Sequence, residues 1–124
     1  MAEKKKVMVV EDFEDSRFSL CKLFESEGYD VVEAANGKQA VEVAELELPD
    51  CILMDLSLPI MSGIEATRAI RKIPNLINTP IIAVSAHDTK NFLQDALGSG
   101  CNDYVIKPVD FDQLLAVIAK HLKN

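Results

Sequence analysis

The fold is decided by four consecutive apolar residues, Cys51-Ile52-Leu53-Met54, which are followed at once by Asp55. Pro59 breaks the chain shortly afterwards, and Ser62 is placed to cap a following helix. A short, continuous apolar run with such boundaries predicts a strand that is covered on both faces. Strands of this kind are typical of parallel sheets with helices on each side.

The same alternation of a short apolar run and a helix-period segment occurs five times along the chain. The predicted strands are Lys6–Val10, Asp30–Ala34, Cys51–Met54, Ile81–Val84 and Tyr104–Ile106. Five βα units in about 120 residues predict one α/β domain over residues 1–124, with an open, doubly wound sheet of five parallel strands. A closed barrel needs eight units and about twice the length.

The helical segments carry capping residues and apolar faces. We predict N-caps at Asn36, Ser62, Asp88 and Asp110. Phe18 in the first helix and Leu97 in the fourth are predicted to lie on the apolar faces that pack against the sheet.

Composition excludes several classes of protein. The net charge of −7, from 20 acids and 13 bases, argues against direct nucleic-acid binding. The apolar runs are too short for a transmembrane helix or a secretory signal, so we expect a cytoplasmic protein without membrane contact. The unclustered cysteines predict reduced thiols, with Cys21 and Cys51 packed in the core and a redox role left open for Cys101.

Five polar residues follow the predicted strands: Glu11, Asp12, Asp55, Ser85 and Lys107. Each alone is better explained as a cap, a turn residue or a solvated charge. In an open α/β sheet, however, the functional crevice lies beyond the carboxyl ends of the strands, where these five would meet.

The chemistry that suits this group is phosphoryl transfer. Clustered carboxylates repel one another unless a hard cation joins them, and Mg²⁺ prefers oxygen ligands. One of the carboxylates can act as a nucleophile and form an aspartyl phosphate. Lysine, serine and the metal would offset or bind the phosphoryl oxygens.

Four segments in order resemble the receiver domain of bacterial two-component response regulators, the CheY-like family. They are Val9–Asp12, Leu53–Gly63, Ala83–Ala86 and Gly100–Pro108. The resemblance covers essentially the whole chain and implies a flavodoxin-like fold with strand order 2-1-3-4-5.

The resemblance also implies roles for individual residues. Asp55 would be the phosphoacceptor, and Ser85 and Lys107 would contact the phosphoryl group. The ligands of Mg²⁺, or of Mn²⁺ in its place, would be Asp55, Asp12, Glu11 mainly through water, and the backbone carbonyl of Ser57. The Lys107–Pro108 peptide bond would be cis.

Further roles implied by the resemblance concern signalling. Tyr104 and Ser85 would act in the switch, although Tyr104 is equally explained as a half-buried tyrosine with a wet hydroxyl. Ser57 and His87 would modulate the phosphoryl lifetime, although His87 is equally explained as a solvated loop residue. The phosphoryl donor would be a histidine kinase or a histidine phosphotransfer protein. Because the chain ends after the fifth helix, we expect output through protein contacts on the face of helix four, strand five and helix five.

Three alternative functions fit the sequence less well. An aspartyl-phosphate hydrolase of the haloacid dehalogenase type has a second acid two residues after its nucleophile, where this chain has Ser57. A flavodoxin-like FMN module needs a Gly/Ser/Thr-rich loop after strand one, which here is acidic. A degenerate receiver that acts only as a docking scaffold is disfavoured by the intact set of five polar residues.

Overall fold

The structure is a computed structural model that describes residues 4–86 and 89–122. In these residues five parallel strands form one sheet in the order β2-β1-β3-β4-β5. The strands are β1 (Lys6–Val10), β2 (Asp30–Ala34), β3 (Cys51–Asp55), β4 (Ile81–Ser85) and β5 (Asp103–Ile106). The helices are α1 (Glu14–Ser26), α2 (Gly37–Glu47), α3 (Gly63–Ile70), α4 (Lys90–Ser99) and α5 (Phe111–Leu122), with a short 3₁₀ helix at Pro74–Leu76. The predicted α/β fold and strand order are confirmed.

The sheet has an apolar core on each face because successive strand residues point to opposite sides. Met8 and Val10 belong to one core, and Val7 and Val9 belong to the other. The first core is completed by helix residues from α2, α3 and α4, and the second by residues from α1 and α5. Both faces are therefore covered, which is why the inner strands β1, β3 and β4 are mostly apolar, whereas the edge strands β2 and β5 carry exposed polar residues.

The ends of the strands place the polar residues. The predicted bounds of β1 and β2 are correct, whereas β3 and β4 each run one residue further, to Asp55 and Ser85. Val10 of β1 pairs with Met54 of β3, and Asp55 pairs with Val84 of β4. This register brings the residues that end or follow β1, β3 and β4 to one edge of the sheet.

Local predictions about the helices were partly wrong. Phe18 is 61% exposed, because α1 turns Leu20 and Phe24 toward the sheet and leaves Phe18 on the outer side, where the Lys22 ammonium lies 5.4 Å from its ring centre. Leu97 is also exposed, since it is rotated by about 100° from the buried Ala96.

The N-caps were predicted more accurately. The side chains of Asn36 and Ser62 accept backbone hydrogen bonds at the starts of α2 and α3, and Asp110 accepts one from Gln113 at the start of α5. The N-cap of helix α4 is Thr89, whose side chain accepts a hydrogen bond from the backbone N–H of Phe92. Asp88, the predicted cap, lies outside the described residues.

All three cysteines are buried and free. Burial raises the pKa of the Cys51 thiol to about 12 and that of Cys21 to about 11, and it raises the pKa of Cys101 as well. No helix in the described ranges is long and apolar enough to span a bilayer.

Candidate functional site

Three carboxylates meet at the carboxyl edge of the sheet. Asp55 ends β3, and Glu11 and Asp12 directly follow β1. One carboxylate oxygen of each residue lies within 4.8 Å of the corresponding oxygens of the other two. Asp55 is 3% exposed and Glu11 is 7% exposed, whereas Asp12 faces solvent. The cluster is therefore buried on one side and open on the other.

Lys107 provides the positive charge for this cluster. Its Nζ lies 2.9 Å from Oδ2 of Asp55 and 3.8 Å from Oε1 of Glu11. Burial works against protonation of Lys107, but the hydrogen bond and charge of Asp55, followed by the charges of Glu11 and Asp12, outweigh it and raise its pKa. The ammonium is thus held in its charged form by the acids around it.

The surroundings of Glu11 oppose the ionisation of its carboxyl group. Burial raises the pKa of Glu11, and the nearby charge of Asp55 adds to the rise. A hydrogen bond from the backbone N–H of Phe13 to Oε2, at 3.0 Å, and the charge of Lys107 oppose the rise without cancelling it. The ionised form of this cluster is therefore short of positive charge.

The donor set fits a hard divalent cation. Three carboxylates face one ammonium, and among the described residues the salt bridges of these acids all come from Lys107. Mg²⁺ prefers oxygen ligands and keeps several waters, which the open side of the cluster can supply. The predicted metal residues Glu11, Asp12 and Asp55 are thus brought together.

The carboxylate of Asp55 is held from two sides. Oδ1 accepts a hydrogen bond of 2.8 Å from the backbone N–H of Ser57, while Oδ2 accepts from Lys107. Gly63 packs so closely against the backbone carbonyl of Asp55 that any side chain there would overlap it. These contacts fix the orientation of the carboxylate, and Ser57 itself is exposed beside it.

Ser85 and Lys107 are joined through the backbone. Ser85 ends β4 and is almost fully buried, and its carbonyl accepts a 2.8 Å hydrogen bond from the N–H of Lys107. Because β4 lies between β3 and β5, Ser85 is placed at the same edge as Asp55. The Lys107–Pro108 bond is cis, as predicted.

Sequence reasoning missed Arg17. Its Nη1 donates a 2.9 Å hydrogen bond to the backbone carbonyl of Glu11, and its Nε lies 2.8 Å from Oε1 of Glu33. The side chain therefore ties the first turn of α1 to the acid-bearing turn after β1. An arginine soon after paired acids was the available signal, and it is weak because such helix positions commonly carry arginine.

The roles predicted in switching and in the phosphoryl lifetime remain predictions. His87 lies outside the described residues, so nothing in the structure tests its effect on the phosphoryl lifetime. Tyr104 is 37% exposed on β5, at the edge of the sheet, which fits either of its two interpretations.

Comparison with known proteins establishes the class. The sequence model of the response regulator receiver domain matches residues 7–119, so the chain belongs to that family. The chain is similar to the polar-differentiation response regulator DivK of Brucella anthropi, with 35% identity over 118 residues that cover 95% of this chain and 96% of the relative.

Solved structures agree with this assignment. The receiver domain of a sensor histidine kinase from Pseudomonas aeruginosa, which has a magnesium ion coordinated in its active-site cleft, matches with a TM-score of 0.90. It is 34% identical, and the match covers 98% of this chain and 100% of that one. The chemotaxis protein CheY4 of Vibrio cholerae matches with a TM-score of 0.93 at 27% identity, covering 97% of this chain and 100% of the other.

Proposed function

We propose that the chain is a phosphorylation-controlled switch whose Asp55 accepts a phosphoryl group from a histidine kinase or a histidine phosphotransfer protein. The observation that carries the proposal is the state of the Asp55 carboxylate. It is buried, oriented by Ser57 and Lys107, and lies beside two further carboxylates, so that among the described residues the negative charge exceeds what Lys107 balances.

In the proposed reaction an oxygen of Asp55 attacks the phosphorus of a phosphohistidine. The new P–O bond forms as the P–N bond breaks, the electron pair of the broken bond goes to the leaving imidazole nitrogen, and that nitrogen takes up a proton from solvent. Lys107 and the hydroxyl of Ser85 would bind the transferred phosphoryl oxygens. The carboxylates of Glu11, Asp12 and Asp55 with the carbonyl of Ser57 would hold Mg²⁺, which would offset the negative charge of the phosphoryl group.

We further propose that the protein acts in the cytoplasm and catalyses only its own phosphorylation and dephosphorylation. Its output would pass to a protein partner through the face of α4, β5 and α5, which includes Tyr104. The support is the backbone hydrogen bond between Ser85 and Lys107. Ser85 ends β4 and Lys107 follows β5, and these are the two residues that would move toward the phosphoryl group.

Intact mass spectrometry tests the phosphorylation. Incubation with acetyl phosphate and Mg²⁺ should add one phosphoryl group, and chelation of the metal with EDTA should abolish the gain. Asp55→Asn should gain none, because an amide is not a nucleophile of this kind. The control Asp95→Asn, which alters an exposed acid of α4, should behave as the wild type. A full gain in Asp55→Asn would place the acceptor elsewhere.

Hydrogen exchange tests the output face. Beryllofluoride, which mimics the phosphoryl group, should change the protection of backbone amides in α4, β5 and α5 when Mg²⁺ is present. Asp55→Asn should show no change under the same conditions. Protection changes confined to the segment around Asp55 would exclude this face as the output surface.

A further inference from the structure

The connection between β3 and α3 contains a strained turn. Ile60 has a φ of +70°, and the N–H of Met61 donates a 2.7 Å hydrogen bond back to the carbonyl of Pro59. This pattern is a γ-turn with a left-handed central residue, which is a rare and strained turn. A β-branched residue is poorly suited to a positive φ because its Cβ substituents crowd the backbone.

The surrounding structure holds the turn in place. Leu58 and Met61, on either side of it, pack against the first core. Gly37 at the start of α2 lies so close to the carbonyl of Met61 that a side chain there would overlap it. The next residue, Ser62, forms a capping box with Glu65. Strain of this kind persists only where neighbouring contacts determine the conformation.

The side chain of Ile60 contributes little buried surface to the fold. It is 80% exposed, so a strained backbone presents an apolar side chain to water. Asparagine or glycine would adopt the same φ with less strain and without exposing hydrocarbon. Among the described residues, therefore, isoleucine at position 60 has a conformational cost, and only a small part of its side chain is buried in return.

Ile60 lies on the connection that leads away from the acceptor Asp55. Its loop starts at Asp55 and returns at Gly63, which packs on the Asp55 carbonyl. On the connection after β1, Phe13 is 60% exposed, and its N–H donates to the carboxylate of Glu11. Two exposed apolar side chains thus stand on the two connections that border the carboxylate cluster.

We propose that Ile60 and Phe13 form an apolar docking rim for the protein that delivers the phosphoryl group, which would bear apolar side chains beside its phosphohistidine. This inference rests on the function proposed above. A protein donor must bring its phosphorus to bonding distance of Asp55, so it covers the side chains that border the site. A small donor such as acetyl phosphate reaches Asp55 without touching them.

Ile60→Asn and Phe13→Ser test the rim. Asparagine tolerates a positive φ, and serine at position 13, the N-cap of α1, adds the side-chain cap that phenylalanine does not provide. Both variants should therefore melt at a higher temperature than the wild type. The matched control is Ile77→Asn, which alters an isoleucine that is 56% exposed and has an ordinary backbone conformation.

The phosphorylation rate of each variant is measured with acetyl phosphate and with a protein donor. The protein probe is the purified, phosphorylated histidine kinase from the same genome that phosphorylates the wild type fastest. We expect Ile60→Asn to lower kcat/KM for that donor about tenfold, as for a central interface residue, and to leave the acetyl phosphate rate unchanged. Phe13→Ser should show the same selectivity, and Ile77→Asn should match the wild type with both donors.

The other outcomes overturn the inference. Wild-type rates of Ile60→Asn and Phe13→Ser with the protein donor would exclude a docking role. An equal loss with both donors would mean that the residues shape the site itself. A lower melting temperature for Ile60→Asn would refute the strain argument. If the wild type is not phosphorylated by acetyl phosphate, the proposed function fails instead.

Discussion

Charged side chains occur at both ends of the parallel sheet, but the charges are paired differently at the two ends. At the amino end they are paired within the fold: Lys6 contacts Glu47 at 3.0 Å, and Asp103 contacts His121 at 3.1 Å. At the carboxyl end the carboxylates of Glu11, Asp12 and Asp55 crowd together, and Lys107 alone forms salt bridges with them among the described residues.

This difference in charge pairing indicates that the charges at the amino end stabilise the fold, whereas those at the carboxyl end form the candidate functional site. Paired charges at the amino end join the ends of helices to the starts of strands and hold the fold together. Crowded carboxylates at the carboxyl end oppose folding unless a cation binds, and unmatched, buried titratable groups are typical of functional sites. Substitutions at the two ends should therefore have opposite effects on stability.

The largest effect should come from Arg71 at the amino end. Its guanidinium donates hydrogen bonds to the carbonyls of Gly100, Leu76 and Thr79 and to Oδ1 of Asn102, at 2.7 to 3.0 Å. Arg71→Ala would leave these acceptors without their charged donor and should lower the free energy of unfolding by about 2–4 kcal/mol. Urea denaturation measures the loss.

The control for Arg71 is Arg68→Ala, one turn earlier on the exposed side of α3. It should change stability by less than about 0.5 kcal/mol. Both variants should still accept a phosphoryl group from acetyl phosphate when folded, since neither residue lies at the carboxyl edge. Equal destabilisation by the two substitutions would contradict the bridging role of Arg71.

A smaller effect of opposite sign is expected for Glu11→Gln in metal-free buffer. Because burial raises the pKa of Glu11 in the fold, this residue contributes stability below its unfolded pKa, and the contribution is lost as pH rises through the folded pKa. The amide introduced by the substitution does not ionise, so the variant should be more stable than the wild type at pH 7. Urea denaturation over a pH series measures the difference, which should shrink as the pH falls below about 4.

Asp103→Asn provides the comparison at the amino end. Burial opposes ionisation of Asp103, but the hydrogen bonds from His121 and from the backbone N–H of Tyr104, with the charge of Lys120, outweigh it and lower its pKa. Its stabilising effect is present above the unfolded pKa and is lost as pH falls through the folded pKa. The variant should therefore lose about 0.5–1 kcal/mol at pH 7 and little in acid. If Glu11→Gln and Asp103→Asn changed the free energy of unfolding at pH 7 in the same direction, the contrast between the two ends of the sheet would be refuted.

Much of the fold and site could be predicted because the signals are local. The strands β1 and β2 were predicted with their correct bounds from short apolar runs, and the caps Asn36 and Ser62 from single residues. Glu11, Asp12 and Asp55 were predicted to meet because parallel strands end at a common edge.

Other features could not be predicted because they depend on how elements pack. Phe18 fits an apolar helix stripe, but only the orientation of α1 on the sheet decides that it faces water. The four acceptors of Arg71 lie 5 to 31 residues away along the chain, on segments that only the fold brings together. Nothing local marks Ile60 as strained, since its φ follows from the packing on either side of the turn.

The sequence by itself determined the order of strands and helices and the polar residues that end each strand, because both follow from periodicity along the chain. Only the tertiary structure decided which of those charged groups pair with one another. Lys107 reaches Asp55 across 52 residues, and Arg17 reaches the carbonyl of Glu11, because neighbouring strands and α1 converge at one edge. The balance of charge at the site is a property of distances between side chains, and these exist only in the folded chain.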